Sequence, residues 1–165
     1  MLLATGAGLL LVGWSAGSGA ASTAGTAGGP VTDCTSTQAR SALRSFVAAY
    51  DAGDYRRLDG LFAGPSWFHW YSSNGPGKRT DPEAQKRETL IGYFRARHAQ
   101  RDRFRLVSFT FNGNSVGYGN FIFTMKRSAA DFRDGAWFTV EGKGATLCEG
   151  RSVKLTVLSV GGPET

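Results

Sequence analysis

The stretch FVAAYDAGDYRRLDGLFA, Phe46 to Ala63, holds two helices and the corner between them. Apolar residues at Ala39, Ala42, Leu43, Phe46, Val47 and Tyr50 recur at the i, i+3, i+4, i+7 spacing of a helix with one buried face. Thr35 or Ser36 caps its start, and Gly53 stops it. Asp54 then caps a short second helix with Tyr55, Leu58, Leu61 and Phe62 turned inward, which Gly64-Pro65 ends.

Carboxyl-terminal to this corner, SWFHWYS (Ser66 to Ser72) alternates and is aromatic, as a strand buried on both faces would be. SNGPGKRTDP reads as turn, with Asp81 capping and Pro82 opening a third helix that runs to about Arg101 and buries Leu90, Ile91, Phe94 and His98. After Arg105 the period becomes two. Leu106 to Asn112, Gly119 to Arg127, Ala136 to Leu147 and Arg151 to Val160 read as an antiparallel meander, with hairpin turns at Asn112-Gly113-Asn114 and Glu149-Gly150. Helices first, a lone strand between them and a curved antiparallel sheet afterwards predict an α+β fold with the helices covering one sheet face.

Amino-terminal to the corner, the chain changes character. Leu2 to Trp14 is apolar and of signal-peptide length, with the small residues Ser18 and Ala20 behind it, so residues 1–20 are expected to direct export. No Lys or Arg precedes Arg40; a start upstream of Met1 would supply the missing basic end. The alternative, an uncleaved anchor, is short and glycine-laden for a membrane span and would be the protein's one link to a membrane. Residues 21–33 read as a flexible linker of small residues, and 34–163 as a single folded domain. The expected location is secreted or at the cell surface. There Cys34 and Cys148 are expected to pair, the alternative being two buried thiols.

The 165 residues are 41% hydrophobic and 12% aromatic, which suits one domain with a real core and excludes collagen, coiled coil and multi-pass membrane proteins. A net charge of +6 favours anionic partners without requiring them. Two cysteines and two histidines, His69 and His98, lack metal-ligand spacing, so no metal is expected, and GNSVGYGN is no phosphate-binding loop. No cofactor is anticipated. RARHAQRDRFR (Arg95 to Arg105) sets five arginines against Asp102. It reads as a solvated helix end complementing the helix dipole, or as a hold for phosphate or an anionic surface. Nucleic acid is not an expected partner, since no aromatic platform accompanies the run.

Phe46 to Ala63, WFHWYS, RETLIGYFRARH (Arg87 to His98), GNFIF (Gly119 to Phe123) and KGATLC (Lys143 to Cys148) together resemble the nuclear transport factor 2-like, or SnoaL-like, superfamily, in particular exported actinobacterial members of unassigned function. The resemblance covers nearly all of residues 36 to 160. It implies a cone-shaped, cystatin-like half-barrel: a strongly bent antiparallel sheet on three helices, with a pocket at the wide end. Some relatives isomerise steroids, close polyketide rings, dehydrate or open epoxides with an acid and a Tyr or His; others only bind, or pair through the sheet.

On such a scaffold, Trp67, His69, Tyr71, Phe94, His98, Phe111, Phe123, Trp137 and Glu141 are expected to line an aromatic pocket for an apolar or amphipathic small molecule. Glu141, sharing a strand face with Trp137 and Thr139, is the leading base candidate if the pocket is catalytic, with His98, His69 and Tyr71 as further candidates. A surface Glu141 beside Lys143, a core or rim histidine and core aromatics are the bland alternatives. A ligand-binding domain is thus the first expectation. A cofactor-independent isomerase, lyase or hydrolase is the second, and a homodimerising interaction domain the third.

Overall fold

The computed structural model describes residues 31–64, 69–73, 80–84, 86–115 and 117–161. In chain order they form β1 (Val31–Thr32), α1 (Ser36–Ala52), α2 (Tyr55–Leu61), β2 (His69–Ser73), β3 (Thr80–Ala84), α3 (Arg87–Ala99), β4 (Arg103–Ser115), β5 (Tyr118–Ser128), a 3₁₀ turn (Arg133–Gly135), β6 (Phe138–Glu149) and β7 (Ser152–Val160). The sheet order is β3-β2-β7-β6-β5-β4, with β1 added beside the end of β6. β4 to β7 are the antiparallel meander, a curled sheet packed on the helices.

The helical corner follows its local signals. Thr35 closes a capping box: its hydroxyl accepts the Gln38 N–H at 3.2 Å while the Gln38 side chain accepts the Thr35 N–H at 2.8 Å. Gly53 ends α1 in the left-handed region at φ 64°, its N–H on the last carbonyls, and the His98 ring lies so close that a Cβ would meet its Cε1 at 2.5 Å. Asp54 caps α2 by accepting the Arg57 N–H at 3.0 Å.

The third helix starts later than the sequence signals place it. Residues 80–84, including Pro82, form β3, and α3 begins at Arg87 without a side-chain cap. Asp-Pro serves equally as a helix opening or in an edge strand, and β3 is the outermost strand, where a missing N–H costs no ladder bond. β2 is not a lone strand either: it pairs antiparallel with β3 and parallel with β7, with Tyr71 opposite Glu83 and Ser159. The first hairpin also turns later than expected. β4 runs on to Ser115, and Gly113, at φ 93°, sits in a bulge. Further register shifts at Leu106/Ser108 and Ala145/Thr146 bend the sheet around α1.

Strand alternation puts Phe104, Phe109, Phe121, Phe123, Met125, Phe138, Val140, Leu158 and Val160 on the inner face, against Phe46 and Tyr50 of α1 and Phe94 of α3. Phe46 is the hub, with ring centroids 5.6 Å from Tyr50, 5.9 Å from Phe94 and 6.1 Å from Phe62. The inner positions of β6 beyond Val140 are Gly142 and Gly144, because the Phe123 and Phe121 rings lie across the strand where Cβ atoms would be. Gly142→Ala is expected to destabilise the fold by about 1–3 kcal/mol, since the new methyl collides with the Phe123 ring and with the immobile Ser159 carbonyl. A denaturation midpoint equal to that of wild type would show that the ring swings away freely.

Cys34 and Cys148 form a disulfide across a separation of 114 residues, both sulfurs buried. Among the described residues no helix is long and apolar enough to cross a membrane. The apolar segment Leu2 to Trp14 lies outside them.

Candidate functional site

The expected pocket residues whose side chains the structure describes do not converge. Phe94 and Phe123 are buried in the core, Phe94 edge-on to Tyr50 with ring centroids 5.4 Å apart, and Phe111 is half-buried on the same inner face. Trp137 and Glu141 belong to the opposite face. Phe138 and Val140 take the inner positions of β6, so Thr139, Glu141 and Lys143 point outward and are exposed. Glu141 therefore meets water, not aromatic rings, and the role of a desolvated base falls away. Trp137 is 39% exposed and packs under the Arg105 guanidinium, 4.3 Å from ring to cation.

His98 sits in the last turn of α3, half-buried, its Nδ1 3.2 Å from the Tyr55 hydroxyl and its ring over Gly53. That makes it a rim residue joining α3 to the α1–α2 corner. His69, half-buried, opens β2 opposite Val157. The Tyr71 backbone lies between β3 and β7, and Trp67 falls outside the described residues.

What the interior holds instead is a charge network. Asp102 and Arg127 are fully buried and Arg97 nearly so. The Asp102 carboxylate accepts from Arg97 Nε at 2.8 Å, from Arg127 Nε at 3.0 Å and Nη2 at 2.5 Å, and from the Tyr50 hydroxyl at 3.1 Å. Arg97 turns its other edge to Asp131 in a two-pronged pair of 2.7 and 2.9 Å. Phe132 covers both guanidiniums, at 4.5 and 5.1 Å. Burial alone would push both arginines down. The hydrogen bonds to Asp131 and Asp102 outweigh it and raise both, so the cations stay charged. Burial, then the Asp102 charge, holds the Tyr50 hydroxyl well above its usual range, protonated and donating. An acid occupied by so many donors and sealed from solvent is a structural centre, not a base.

The sequence shows Asp102 only as one acid among five arginines. Neither its burial nor its partners have a local signature.

The Arg97 hydrogen bonds lower the Asp131 carboxyl, whereas burial, set against the bond from the Phe104 N–H, raises Asp51. A depressed native value gives Asp131 a contribution that is full above its unfolded-state value, near 4, and lost as pH falls through the lower native one. Asp131→Asn should thus lower stability at neutral pH by no more than about 1 kcal/mol, because the carboxylate is 40% exposed, and by nothing at the acid end. Denaturant titrations from pH 7 to 2 check this: curves that stay parallel at every pH would rule out the pairing as the cause. Asp51 works in the opposite sense, favouring the fold below its unfolded value, and the variant leaves that trend unmasked.

The outer sheet face carries a different site. Ser108, Thr110, Ile122, Thr124, Glu141, Lys143 and Ser159 line an open hollow of about 600 Å³. The register explains the grouping: Ser108, Thr124 and Glu141 form one cross-strand row, and Thr110, Ile122, Lys143 and Ser159 the next. Ile122, 47% exposed, provides an apolar patch between hydroxyls and two opposite charges. Among the described residues no group of three or more metal-ligating side chains occurs.

No sequence family model matches the chain, and no curated protein matches it. Solved structures do. A candidate dehydratase of the NTF2-like family from Streptomyces avermitilis superposes with a TM-score of 0.60 at 14% identity, covering 75% of this chain and 92% of that one. A candidate calcium/calmodulin-dependent protein kinase II association domain from Xanthomonas campestris gives 0.59 at 13%, covering 81% and 91%. A protein of unknown function with a cystatin-like fold from Nostoc punctiforme gives 0.57 at 14%, covering 75% and 87%. At such identities the likeness is one of fold: this chain has the NTF2-like, cystatin-like α+β architecture.

Proposed function

With the NTF2-like fold as premise, we propose that the chain is an exported ligand-binding domain whose contact surface is the outer-face hollow between β4 and β7, and whose ligand is a small amphipathic molecule. The observation that carries the reading is the composition of that hollow. Ile122 offers apolar contact, Glu141 and Lys143 meet a polar or zwitterionic end, and a ring of hydroxyls supplies adaptable hydrogen bonds. Catalysis has less support, because Asp102 is consumed by its arginines and Glu141 lacks the desolvated surroundings that tune a general base. Export is supported by the buried disulfide and by the leader-like Leu2 to Trp14.

The homodimer is the second reading, and Ile122 favours it. An exposed apolar residue flanked by Glu141 and Lys143 is a surface that a two-fold axis can match to itself. Native mass spectrometry of the mature protein from its own host separates the two: a monomer with a retained small mass supports ligand binding, and a ligand-free dimer supports pairing. In either case Ile122→Asp is expected to abolish the retained species. A bare monomer for wild type overturns both readings, and a mature chain still carrying Leu2 to Trp14 overturns cleavage of the leader.

A further inference from the structure

A second depression, of about 460 Å³, is built around Arg101, Arg103 and Arg105, with Trp137, Ser128 and Asp134 in its wall. We propose that it binds a phosphate group, carried by a soluble phosphate ester or by an anionic lipid headgroup.

The first ground is the fate of the arginines in one short run. Arg97 is neutralised by Asp102 and Asp131, and Arg127, across the sheet, by Asp102. Arg101, Arg103 and Arg105 are exposed, and among the described residues no carboxylate lies within ion-pair distance of them. Asp134, in the lining of the depression, is not paired with any of the three. A fourth cation, Lys126, stands directly opposite Arg105 across the β4–β5 ladder, and its ammonium is tied to the Thr139 hydroxyl at 2.8 Å. Like charges placed opposite one another across strands oppose folding. Beyond the Arg105 contact with Trp137 and the longer-range attraction of Arg103 and Arg105 to Asp51, the cluster has no bonded counter-charge among the described residues, and an anion is what would relieve it.

The second ground is that the cluster is held in place. Arg105 sits over the Trp137 ring, its Cζ 4.3 Å from the centroid, a contact that holds the guanidinium at the wall of the depression, and a guanidinium can meet oxygen with a two-pronged contact. Arg101 adopts the left-handed backbone region at φ 55°, its N–H bonded to the His98 carbonyl at 2.9 Å, and the Ala130 N–H closes on the Gln100 carbonyl at 2.7 Å. Across the depression the Ser128 hydroxyl donates to the Gly135 carbonyl at 2.5 Å, pinning the opposite wall. Alternation along β4 sets Arg103 and Arg105 on one face, and the turn brings Arg101 beside them. Planar forks with oxygen-matching geometry, held on a rigid strand, are what recognition of phosphate uses.

The test titrates the mature protein with glycerol 3-phosphate, and separately measures its sedimentation with phosphatidylcholine vesicles with and without phosphatidylglycerol. Wild type is expected to bind at least one probe, the ester or the glycerol-phospholipid surface, and which of them binds identifies the source. Arg103→Gln with Arg105→Gln should weaken that binding by about tenfold or more. Arg56→Gln with Arg57→Gln, an equal loss of charge on exposed residues of α2, should leave it within about twofold. Matching thermal melts keep folding out of the comparison. Absence of binding to both probes, or equal losses in the two double variants, overturns the site.

Discussion

Asp102→Ala is expected to lower the unfolding free energy by about 3–5 kcal/mol, the largest effect of any single substitution considered for this chain. The cause is not the loss of an attraction. Arg127 is fully buried and Arg97 is 8% exposed at its side chain, so removing their shared carboxylate takes a charged acceptor from two guanidiniums held in a phenylalanine-lined interior. Arg97 keeps Asp131 as a partner, whereas Arg127 loses the carboxylate that accepts from both its Nε and its Nη2. Tyr50→Phe, which removes one neutral donor from the same carboxylate, should cost only about 1 kcal/mol. Replacing the charges together, Asp102→Leu with Arg127→Met, should recover much of the loss, since a buried ion pair exchanged for apolar groups of similar volume is often neutral. Urea titrations of the four proteins measure the series. An Asp102→Ala variant no weaker than Tyr50→Phe would mean that water reaches the two arginines.

The disulfide carries the next largest expectation. Cys34→Ser with Cys148→Ser, or reduction of the wild type, should lower stability by about 2–5 kcal/mol, because cutting a link across 114 residues returns conformational freedom to the unfolded chain. Part of the geometry survives without it. The Asn114 amide clasps the Cys34 backbone in both directions, at 2.8 and 2.9 Å, and Val31 and Thr32 remain paired with Glu149 and Cys148. The native fold should therefore persist with a lower midpoint. An unfolding midpoint that does not move in excess dithiothreitol would show that the link constrains nothing.

These two centres differ in how they can be read. The cysteine pair stands out in the sequence because only two cysteines occur, although the reading leaves free thiols open as well. The Asp102 network is illegible there. A run with five arginines and one acid looks like a solvated helix end, and nothing local distinguishes Arg97, which is buried, from Arg101 and Arg103, which are not. The far partners of Asp102 and Arg97 lie on other elements, Arg127 on β5 and Asp131 in the β5–β6 connection.

The misplacement of Glu141 has an equally specific origin. The alternation of Trp137, Thr139 and Glu141 is correct, and only the side of the sheet is reversed. Gly142 and Gly144 look like surface positions, but they are the inner ones, emptied of side chains so that Phe123 and Phe121 can lie across β6. The core there is filled from the neighbouring strand, which β6's own pattern cannot reveal.

The chain's own order of residues determined the helical corner with its caps, the period-two strands and the α+β class, because periodicity, an αL glycine and capping side chains act within a few residues of where they stand. Tertiary structure decided the rest: that residues 80–84 join the sheet edge instead of a helix, which face of β6 is inside, and which arginines are neutralised. Each of these depends on a partner far along the chain, and the free energy of pairing, packing or desolvation is set only when that partner arrives.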